Sequence, residues 1–283
     1  MLRRPYGTTD EELSIIGFGG IVVDRLPQDE ADAYVKEAID GGVNYFDIAP
    51  SYGNAQNQLG PAIEPYRQDI FLACKTAERT KDGAQRELEE SLQKLRTDHF
   101  DLYQLHGMTT EEDFEVAMGP NGALEVLQKA QEKGIVKYLG FSAHSVEIAL
   151  KLMDAFDFQS VLFPINFVNW FQGKFGLQVV DKAKQKDMGI LALKAMAKQK
   201  WPEGAERAYD RCWYEPIDDP EMAKLAVRYT LSQGVTAAIP PGDIRLFRIA
   251  MEAGQQFTPI TSDEEQILRD YAQDRTPIFT TVG

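Results

Sequence analysis

The sequence predicts an α/β protein that folds as a closed (β/α)8 barrel, with an N-terminal β-hairpin and an extra C-terminal helix. Strand-like apolar runs end in ionisable residues at Asp47, Lys75 and His106, which are 28 and 31 residues apart. That spacing holds one strand, one helix and two turns, and counting from the run IIGFG gives eight such units within 283 residues. Alternating strands and helices indicate a parallel sheet, and eight units indicate that the sheet closes.

The predicted elements follow in chain order. A hairpin with a turn at Gly7 leads into the first strand, and the first helix has apolar residues at helical spacing and ends at Gly41 and Gly42. The last helix opens with a predicted capping box of Ser262 and Glu265. Between these helices, strands and helices alternate, and glycine ends several of the helices. The predicted strands are GVNYFD, DIFLACK, DLYQLH, IVKYLGFS, QSVLFPIN, ILALK and VTAAIP. The predicted helices are AQRELEESLQKLR, NGALEVLQKAQEKG, SVEIALKLMDAF, FGLQVVDKAKQKDMG, DPEMAKLAVRYTLSQG and IRLFRIAMEAG.

An open, doubly wound sheet is the alternative architecture for alternating strands and helices. It would need a glycine-rich phosphate-binding turn after its first strand. The run GFGG at 17–20 lacks the GxGxxG spacing and is followed by the apolar residues IVV. The closed barrel is therefore favoured, as one domain over residues 1–283.

Composition limits the possible functions. The chain is 43% hydrophobic and 26% charged, which is typical of globular proteins, and its net charge of −14 without a basic stripe argues against nucleic-acid binding. Cys74 and Cys212, the only cysteines, form neither a disulfide framework nor a CxxC zinc motif. The N-terminus lacks a signal-peptide core, and no run of about 18 apolar residues occurs. We expect a cytoplasmic protein without a membrane span, as a monomer or small homo-oligomer.

Four ionisable residues are expected to meet at one end of the barrel. Asp47, Lys75 and His106 close predicted strands, Tyr52 follows Asp47 in the run IAPSYG, and the C-terminal ends of barrel strands form the active-site face. The pKa of tyrosine is about 10 in water, and we expect the Lys75 ammonium to lower it while Asp47 holds that ammonium charged. Together the four groups can protonate an oxygen as negative charge develops on it. None of them can deliver a hydride, so that part needs a cofactor.

The chain resembles the aldo-keto reductases over essentially its full length. The most specific part of the resemblance is the stretch FDIAPSYG together with the spaced lysine and histidine. The segments that carry it are RPYGTTDEELSIIGFGG, GGVNYFDIAPSYGNAQNQLGPAI, FLACK, LRTDHFDLYQLHG, KGIVKYLGFSAHS and GVTAAIPPG. The resemblance implies that Tyr52 is the general acid, that Lys75 and Asp47 tune it, and that His106 orients the carbonyl. It also implies the reversible reduction of a small aldehyde or ketone by NAD(P)H.

Each of these four residues also has an ordinary structural explanation. Asp47 can cap the following turn, and Tyr52 can be a half-buried loop aromatic. Lys75 can extend its ammonium from a strand end into water, and His106 can be a satisfied core histidine. Their joint occurrence in the order of the family favours the functional interpretation.

The residues that would hold the nicotinamide depart from the family pattern. In the family, a Ser-Asn pair after the fifth strand and a Gln on the sixth bind the nicotinamide amide. Here Ser142 is followed by Ala143 in place of the Asn. On the sixth strand Asn166 is kept, whereas Leu162 occupies the Gln position.

The seventh strand departs as well. Leu193, followed by Lys194, stands where the family often has a tyrosine that stacks on the nicotinamide. We expect Lys194 or His144 to compensate by touching cofactor or substrate. The alternatives are that His144 caps the helix that begins near Ser145, and that Lys194 pairs with an acidic neighbour.

The loop after the eighth strand is expected to bind the phosphate of the cofactor, helped by backbone donors of the next helix. In the run IPPGDIRLFRIA, Pro240 and Gly242 belong to this loop. Arg245 and Arg248 are candidate partners of an adenosine 2′-phosphate, which favours NADP(H) and leaves NAD(H) possible. Asp243 would oppose a phosphate, and the alternative is that both arginines form a solvated basic helix face.

The longest insertion covers residues 195–220. Because long loops in compact domains are often lids or binding loops, we expect it to fold over the dinucleotide or to line the substrate pocket. The alternative is a packed surface loop. The residues behind this prediction are Trp201, Arg207, Tyr209, Arg211, Trp213 and Tyr214.

A second aromatic segment, NFVNWF, lies at residues 166–171. Its side chains Phe167, Trp170 and Phe171 either stand at the pocket mouth, where they would suit an apolar or aromatic carbonyl substrate, or pack beneath the barrel rim.

Two other functions remain open. The first is a nucleotide-binding redox sensor or regulatory protein on the same fold with little turnover, which the altered cofactor contacts suggest and the intact set of four groups opposes. The second is a different barrel enzyme, such as a lyase or a metal-dependent hydrolase. The chain has three histidines, one of them His99 in a helix-to-strand turn, which argues against a multi-histidine metal site.

Overall fold

The computed structural model describes residues 1–281, so the last two residues of the predicted domain lie outside the described part. Its strands are β1 (Arg3–Pro5), β2 (Glu12–Ser14), β3 (Phe18–Gly19), β4 (Tyr45–Asp47), β5 (Phe71–Thr76), β6 (Phe100–Met108), β7 (Val136–Ala143), β8 (Ser160–Pro164), β9 (Gly189–Leu193), β10 (Ala197–Lys200), β11 (Tyr214–Pro216) and β12 (Ala237–Ile239).

Eight of these strands form one parallel sheet in which β3 to β9 neighbour one another in chain order and β12 pairs with β9. A parallel bridge between Ile16 and Ala238 then joins the first barrel strand to the last. The sheet closes on itself, and the predicted (β/α)8 TIM barrel is confirmed.

Helices surround the barrel. They are α1 (Gln28–Asp40), α2 (Ala55–Ile63), α3 (Lys81–Lys94), α4 (Glu111–Met118), α5 (Ala123–Glu132), α6 (Val146–Ala155), α7 (Phe167–Phe171), α8 (Leu177–Gln185), α9 (Pro220–Ser232), α10 (Ile244–Gln255) and α11 (Ser262–Ala272). Several begin as their sequences suggest, for example α9, where Asp219 caps and Pro220 occupies the first turn. No helix within residues 1–281 combines the length and the apolar character that crossing a bilayer requires.

The structure differs from the predicted elements in four places. The short helices α4 and α7 follow β6 and β8, where the sequence suggested loops. The insertion at 195–220 contains an antiparallel hairpin of β10 and β11. The capping box of α11 lies one residue earlier than predicted: Thr261 accepts from the Glu264 backbone, and Glu264 accepts from that of Thr261. The hydroxyl of Thr261 or of Ser262 would fit the capping motif, and Thr261 is the cap because its backbone is extended.

The N-terminal hairpin closes one end of the barrel. The Tyr6 hydroxyl donates to Ser160 Oγ at 2.7 Å, and its ring packs against Phe71 and Tyr138. Ser160 and Phe71 lie at the beginnings of β8 and β5, so the hairpin fills the N-terminal end. The barrel can therefore open only at the opposite end, where the strands terminate.

Candidate active site

A cleft of about 210 Å³ lies at the C-terminal ends of the barrel strands. It is lined by three groups of residues: the ionisable side chains predicted for catalysis, apolar residues of the strand ends, and a short stretch of the long insertion. The first group contributes Asp47, Tyr52 and His106, the second Leu162, Leu193 and Ile239, and the third residues 211–214. This is the active-site position that the barrel fold predicts.

Asp47 and Lys75 form a buried ion pair below the cleft. Side chains alternate along a strand, so Asp47 at the end of β4 and Lys75 in β5 both point inward, and Lys75 is fully buried. The Lys75 ammonium donates to the Asp47 carboxylate and to the Ile48 carbonyl oxygen at 3.1 Å. Burial raises the pKa of Asp47 although Lys75 opposes it. Burial also disfavours charge on Lys75, but Asp47 and Tyr52 outweigh this effect and raise the pKa of Lys75.

Tyr52 stands above this pair in the loop that follows β4. It is half-buried, and the Lys75 ammonium lies 5.4 Å from the centroid of its ring. Lys75 lowers the pKa of Tyr52, as predicted, but burial is the larger effect and the net pKa is raised. The expectation of a lowered pKa is therefore wrong, and Tyr52 keeps its proton at neutral pH.

His106 faces Tyr52 from β6. The two ring centroids are 5.9 Å apart and the rings are nearly perpendicular, at 83°. Burial, followed by the charge of Lys75, lowers the pKa of His106 to about 3. The imidazole is therefore neutral at pH 7 and can donate one hydrogen bond from a ring nitrogen. Arg79 fixes the backbone here, because its guanidinium donates to the His106 carbonyl oxygen at 2.8 Å.

Ser142, a predicted contact of the nicotinamide, lines the cleft and can donate a hydrogen bond. Its Oγ accepts from the Gly107 backbone at 2.7 Å, which leaves the hydroxyl proton available. Leu162 lies beside it in the register of β7 and β8 and presents an apolar surface instead of an amide. Asn166 is not among the cleft residues: its side chain caps α7 by accepting from the Asn169 backbone at 2.8 Å.

The loop after β12 reaches the cleft, but the two arginines of α10 do not. Pro240 and Gly242 line the cavity, and a Cβ at Gly242 would lie 2.6 Å from Ile21, so no larger residue fits there. Arg245 is ion-paired with Asp243 at 2.8 Å and Arg248 with Glu37 at 2.7 Å. Both guanidinium groups lie outside the set of cleft residues.

The cation that does line this side of the cleft is Arg211, from the insertion. It donates to the backbone oxygens of Val22, at 3.2 Å, and Asp24. A second link between the same two segments is the ion pair of Arg25 and Asp210 at 2.9 Å. Arg211 thus ties the insertion to the barrel rim beside Gly242.

Lys194 enters the cleft from the end of β9, where Leu193 precedes it. The alternative interpretation, an acidic partner for Lys194, is not found: within residues 1–281, no carboxylate oxygen lies within 4 Å of its ammonium. The ammonium instead lies 5.6 Å from the ring centroid of Trp213 and 5.4 Å from that of Tyr214. Burial lowers the pKa of Lys194 to about 8, so it is largely charged at pH 7.

His144 also lines the cleft and does not cap α6. The cap is Ser145, whose hydroxyl accepts from the Ile148 backbone at 3.3 Å. The His144 ring instead stacks on Phe279 from the C-terminal tail, with centroids 5.3 Å apart. Burial lowers the pKa of His144 to about 4. Nothing in the local sequence pointed to this contact, because the two residues are far apart in the chain.

The aromatic segment after β8 belongs to the core. Phe167 and Trp170 are buried and pack against Tyr229 of α9. None of its aromatic side chains lines the cleft. By contrast Trp213, Tyr214 and the buried thiol of Cys212 do line it; the sequence suggested the two aromatics but gave Cys212 no role. Across the described ranges, no group of three acidic, histidine or cysteine side chains is placed to hold a metal ion.

Sequence comparisons match this chain to known proteins. A family model described as the aldo/keto reductase family matches residues 15–213. An oxidoreductase of Bacillus subtilis (strain 168), described as uncharacterized, is 32% identical over 157 residues, which cover 50% of this chain and 49% of that protein. L-galactose dehydrogenase of Arabidopsis thaliana is 28% identical over 167 residues, covering 53% and 51% respectively. The chain thus spans about half the length of these two relatives.

A solved structure extends the fold comparison over nearly the whole chain. The holo form of an aldo-keto reductase from Bacillus halodurans superposes with a TM-score of 0.76 at 21% identity, covering 99% of this chain and 98% of that one. At this identity the superposition shows the fold, while the family model covers the strand ends that carry Asp47, Tyr52, Lys75 and His106. The chain belongs to the aldo/keto reductase family of oxidoreductases.

Proposed function

We propose that this protein reduces an aldehyde or ketone to an alcohol with a nicotinamide dinucleotide, and that Tyr52 is the general acid. The observation that carries the proposal is the convergence of Tyr52 and His106 over the buried Asp47–Lys75 pair. A phenol, a neutral imidazole and an ammonium meet there in one water-restricted cleft. Such a set stabilises and protonates a developing alkoxide.

Each residue has a distinct part in this proposal. Tyr52 gives its proton to the carbonyl oxygen as negative charge builds on it. His106 is neutral and donates a hydrogen bond to the same oxygen, which orients the carbonyl. Lys75 stabilises the tyrosinate that remains, because its ammonium lies below the ring. Asp47 keeps Lys75 charged and fixed, so it acts as a positioning residue.

The cleft residues fit a nicotinamide ring. Leu162, Leu193 and Ile239 offer an apolar surface beside Tyr52, and the free proton of the Ser142 hydroxyl can serve the carboxamide oxygen. A bound nicotinamide supplies the hydride. The amide pocket has lost the Asn and Gln contacts at Ala143 and Leu162, so we expect it to hold the ring less tightly than the family pattern would.

We propose NADP(H) as the favoured cofactor, with NAD(H) as the second choice. The support is positive charge near Gly242: Arg211 lines the cleft, and Arg245 and Arg248 lie on the adjoining helix. A phosphate contact by either α10 arginine requires it to leave its carboxylate partner, Asp243 or Glu37. This exchange costs binding free energy, so the preference over NAD(H) should be modest.

The test is turnover of a panel of aldehydes and ketones with NADPH and NADH, followed by Tyr52→Phe. We expect the wild type to oxidise the cofactor only when a carbonyl is present, and the variant to lose about 10²- to 10⁴-fold in kcat while its cofactor affinity stays close to wild type. Tyr66→Phe, outside the cleft, is the matched control. A chain that binds neither cofactor in calorimetric titration, or a Tyr52→Phe variant with full activity, contradicts the proposal.

A further inference from the structure

Lys194 is held in the cleft in an unusual way. Its backbone has φ of +66°, a left-handed conformation that non-glycine residues seldom adopt and that is often found at functional positions. The side chain is partly buried, and its ammonium lies beside the aromatic pair of Trp213 and Tyr214. The fold therefore accepts backbone strain at the point where this ammonium enters the cleft.

The other lysines near this site have carboxylate partners. Lys75 is paired with Asp47, and Lys198, four residues further along the insertion, is paired with Glu215. Lys194 has no such partner within residues 1–281. The faces of two aromatic rings compensate only part of the cost of removing an ammonium from water. The described residues therefore provide no anion to balance the charge of Lys194.

The charges around the cleft favour an anionic ligand. Among the described residues that line the cavity, Asp47 is the only carboxylate, and it is paired with Lys75. The lining cations are Lys194 and Arg211. The cleft thus carries an excess of positive charge in a protein whose net charge is −14.

The position of Lys194 indicates which part of a ligand it meets. It lines the cavity of about 210 Å³ together with Tyr52 and His106, and, besides burial, its charge contributes to lowering the pKa of His106 and of His144. Arg211 lines the same cavity but lies beside Gly242, at the loop expected to hold the cofactor phosphate. We propose that Lys194 is a specificity-determining residue that binds a carboxylate carried by the carbonyl substrate, so that the enzyme prefers oxo acids over neutral carbonyl compounds. This inference rests on the proposed reductase function.

The chemistry of the site supports this assignment. The Lys194 ammonium is a point charge with three donors, which suits one oxygen of a carboxylate. The carboxylate would also hold Lys194 in its charged form, offsetting the burial that lowers its pKa to about 8. A neutral substrate of the same length would leave the ammonium without a partner.

The test compares 4-oxobutanoate with its methyl ester, which has the same aldehyde and nearly the same length but no charge. The measured quantity is the ratio of kcat/KM for the acid to kcat/KM for the ester. We expect the wild type to favour the acid and Lys194→Met to lower the ratio by about 10- to 100-fold, mainly through KM, since a hydrogen bond between charged groups is lost. Lys200→Met, an exposed lysine of the same insertion, is the matched control and should keep the wild-type ratio.

A binding measurement makes the inference testable without turnover. We expect calorimetric titration with succinate, in the presence of saturating NADPH, to give weaker binding to Lys194→Met than to the wild type. Equal succinate affinity, or an unchanged ratio of acid to ester, overturns the inference while leaving the reductase function intact. A variant that loses affinity for NADPH but keeps its ratio also overturns it, and assigns the anion to the cofactor phosphates. Absence of all carbonyl turnover contradicts the proposed function, and the succinate titration then decides the role of Lys194 by itself.

Discussion

The rings of Tyr52 and His106 meet almost at right angles, at 83°, with their centroids 5.9 Å apart. One residue follows β4 and the other lies in β6, so the closed barrel brings them together. Because burial keeps the phenol protonated and the imidazole neutral, both groups can act as hydrogen-bond donors to one substrate oxygen. The pair supplies donors where a carbonyl reduction needs them.

The buried ion pair below these rings should contribute strongly to stability. Lys75→Met leaves the Asp47 carboxylate buried without its partner, and we expect the free energy of unfolding to fall by about 3–5 kcal/mol. The double variant Asp47→Asn/Lys75→Met removes both charges and should recover part of that loss. Urea titrations of the wild type, both single variants and the double variant measure the coupling. Additive effects of the two substitutions would contradict a direct interaction.

Two neutral, half-buried histidines predict a loss of stability in acid. Burial lowers the pKa of His106 to about 3 and of His144 to about 4, from an ordinary value of 6.5. Between pH 6.5 and about 4, the unfolded chain therefore binds protons that the folded chain does not. The free energy of unfolding must fall as pH falls, by up to about 1.4 kcal/mol per pH unit for each histidine.

His144→Asn separates this effect from other acid titrations. Between pH 7 and pH 5, we expect the variant to lose about 2 kcal/mol less stability than the wild type, as measured by urea unfolding at both pH values. His99→Asn, at the surface beside Asp98, serves as the control. If His144→Asn and the wild type lose the same amount, His144 is not held neutral.

The missing amide contact at Leu162 can be restored. Leu162→Gln places a side-chain amide next to Ser142, and we expect NADPH to bind about fivefold more tightly, because one hydrogen bond contributes about 1 kcal/mol. Calorimetric titration gives the affinity, and Leu162→Met is the size-matched control without a polar group. Weaker binding to the Gln variant than to the Met variant would show that the nicotinamide lies elsewhere in the cleft.

The link between the insertion and the barrel rim should control access to the cleft. Arg211→Met removes the hydrogen bonds to the backbone oxygens of Val22 and Asp24. We expect cofactor to dissociate roughly tenfold faster in stopped-flow experiments, since hydrogen bonds from a charged donor contribute about 1.5–3 kcal/mol. Arg207→Met, an exposed residue of the same insertion, is the control. Unchanged dissociation would mean that residues 195–220 are a surface loop, as the alternative interpretation holds.

The fold and the four proposed catalytic residues were predictable because their signals are local. A strand end is marked by the change from an alternating apolar run to turn residues, and the barrel places all such ends on one face. Asp47, Lys75 and His106 each terminate or nearly terminate a strand, so their order in the chain was enough to predict that they converge. The sign of the net pKa shift of Tyr52 was not predictable, since it depends on how much water the assembled cleft excludes.

The cofactor side shows what sequence alone leaves open. Arg245 and Arg248 have the residue type and position of phosphate ligands, yet packing pairs them with Asp243 and Glu37. Such pairings are formed by side chains that reach across elements, and no local pattern encodes them. The arginine that lines the cleft is Arg211 of the insertion, for which the sequence predicts no phosphate contact.

By itself, the sequence determined the closed barrel, the end at which its site lies and the residues at the strand ends, because period and spacing are properties of neighbouring residues. Only the tertiary structure decided the environment of each group. Among the described residues Lys194 has no carboxylate partner, because Trp213 and Tyr214 of the insertion occupy its surroundings. His144 is oriented by Phe279 from the far end of the chain. Burial and charge pairing are sums over contacts between distant segments, and those contacts exist only once the chain has folded.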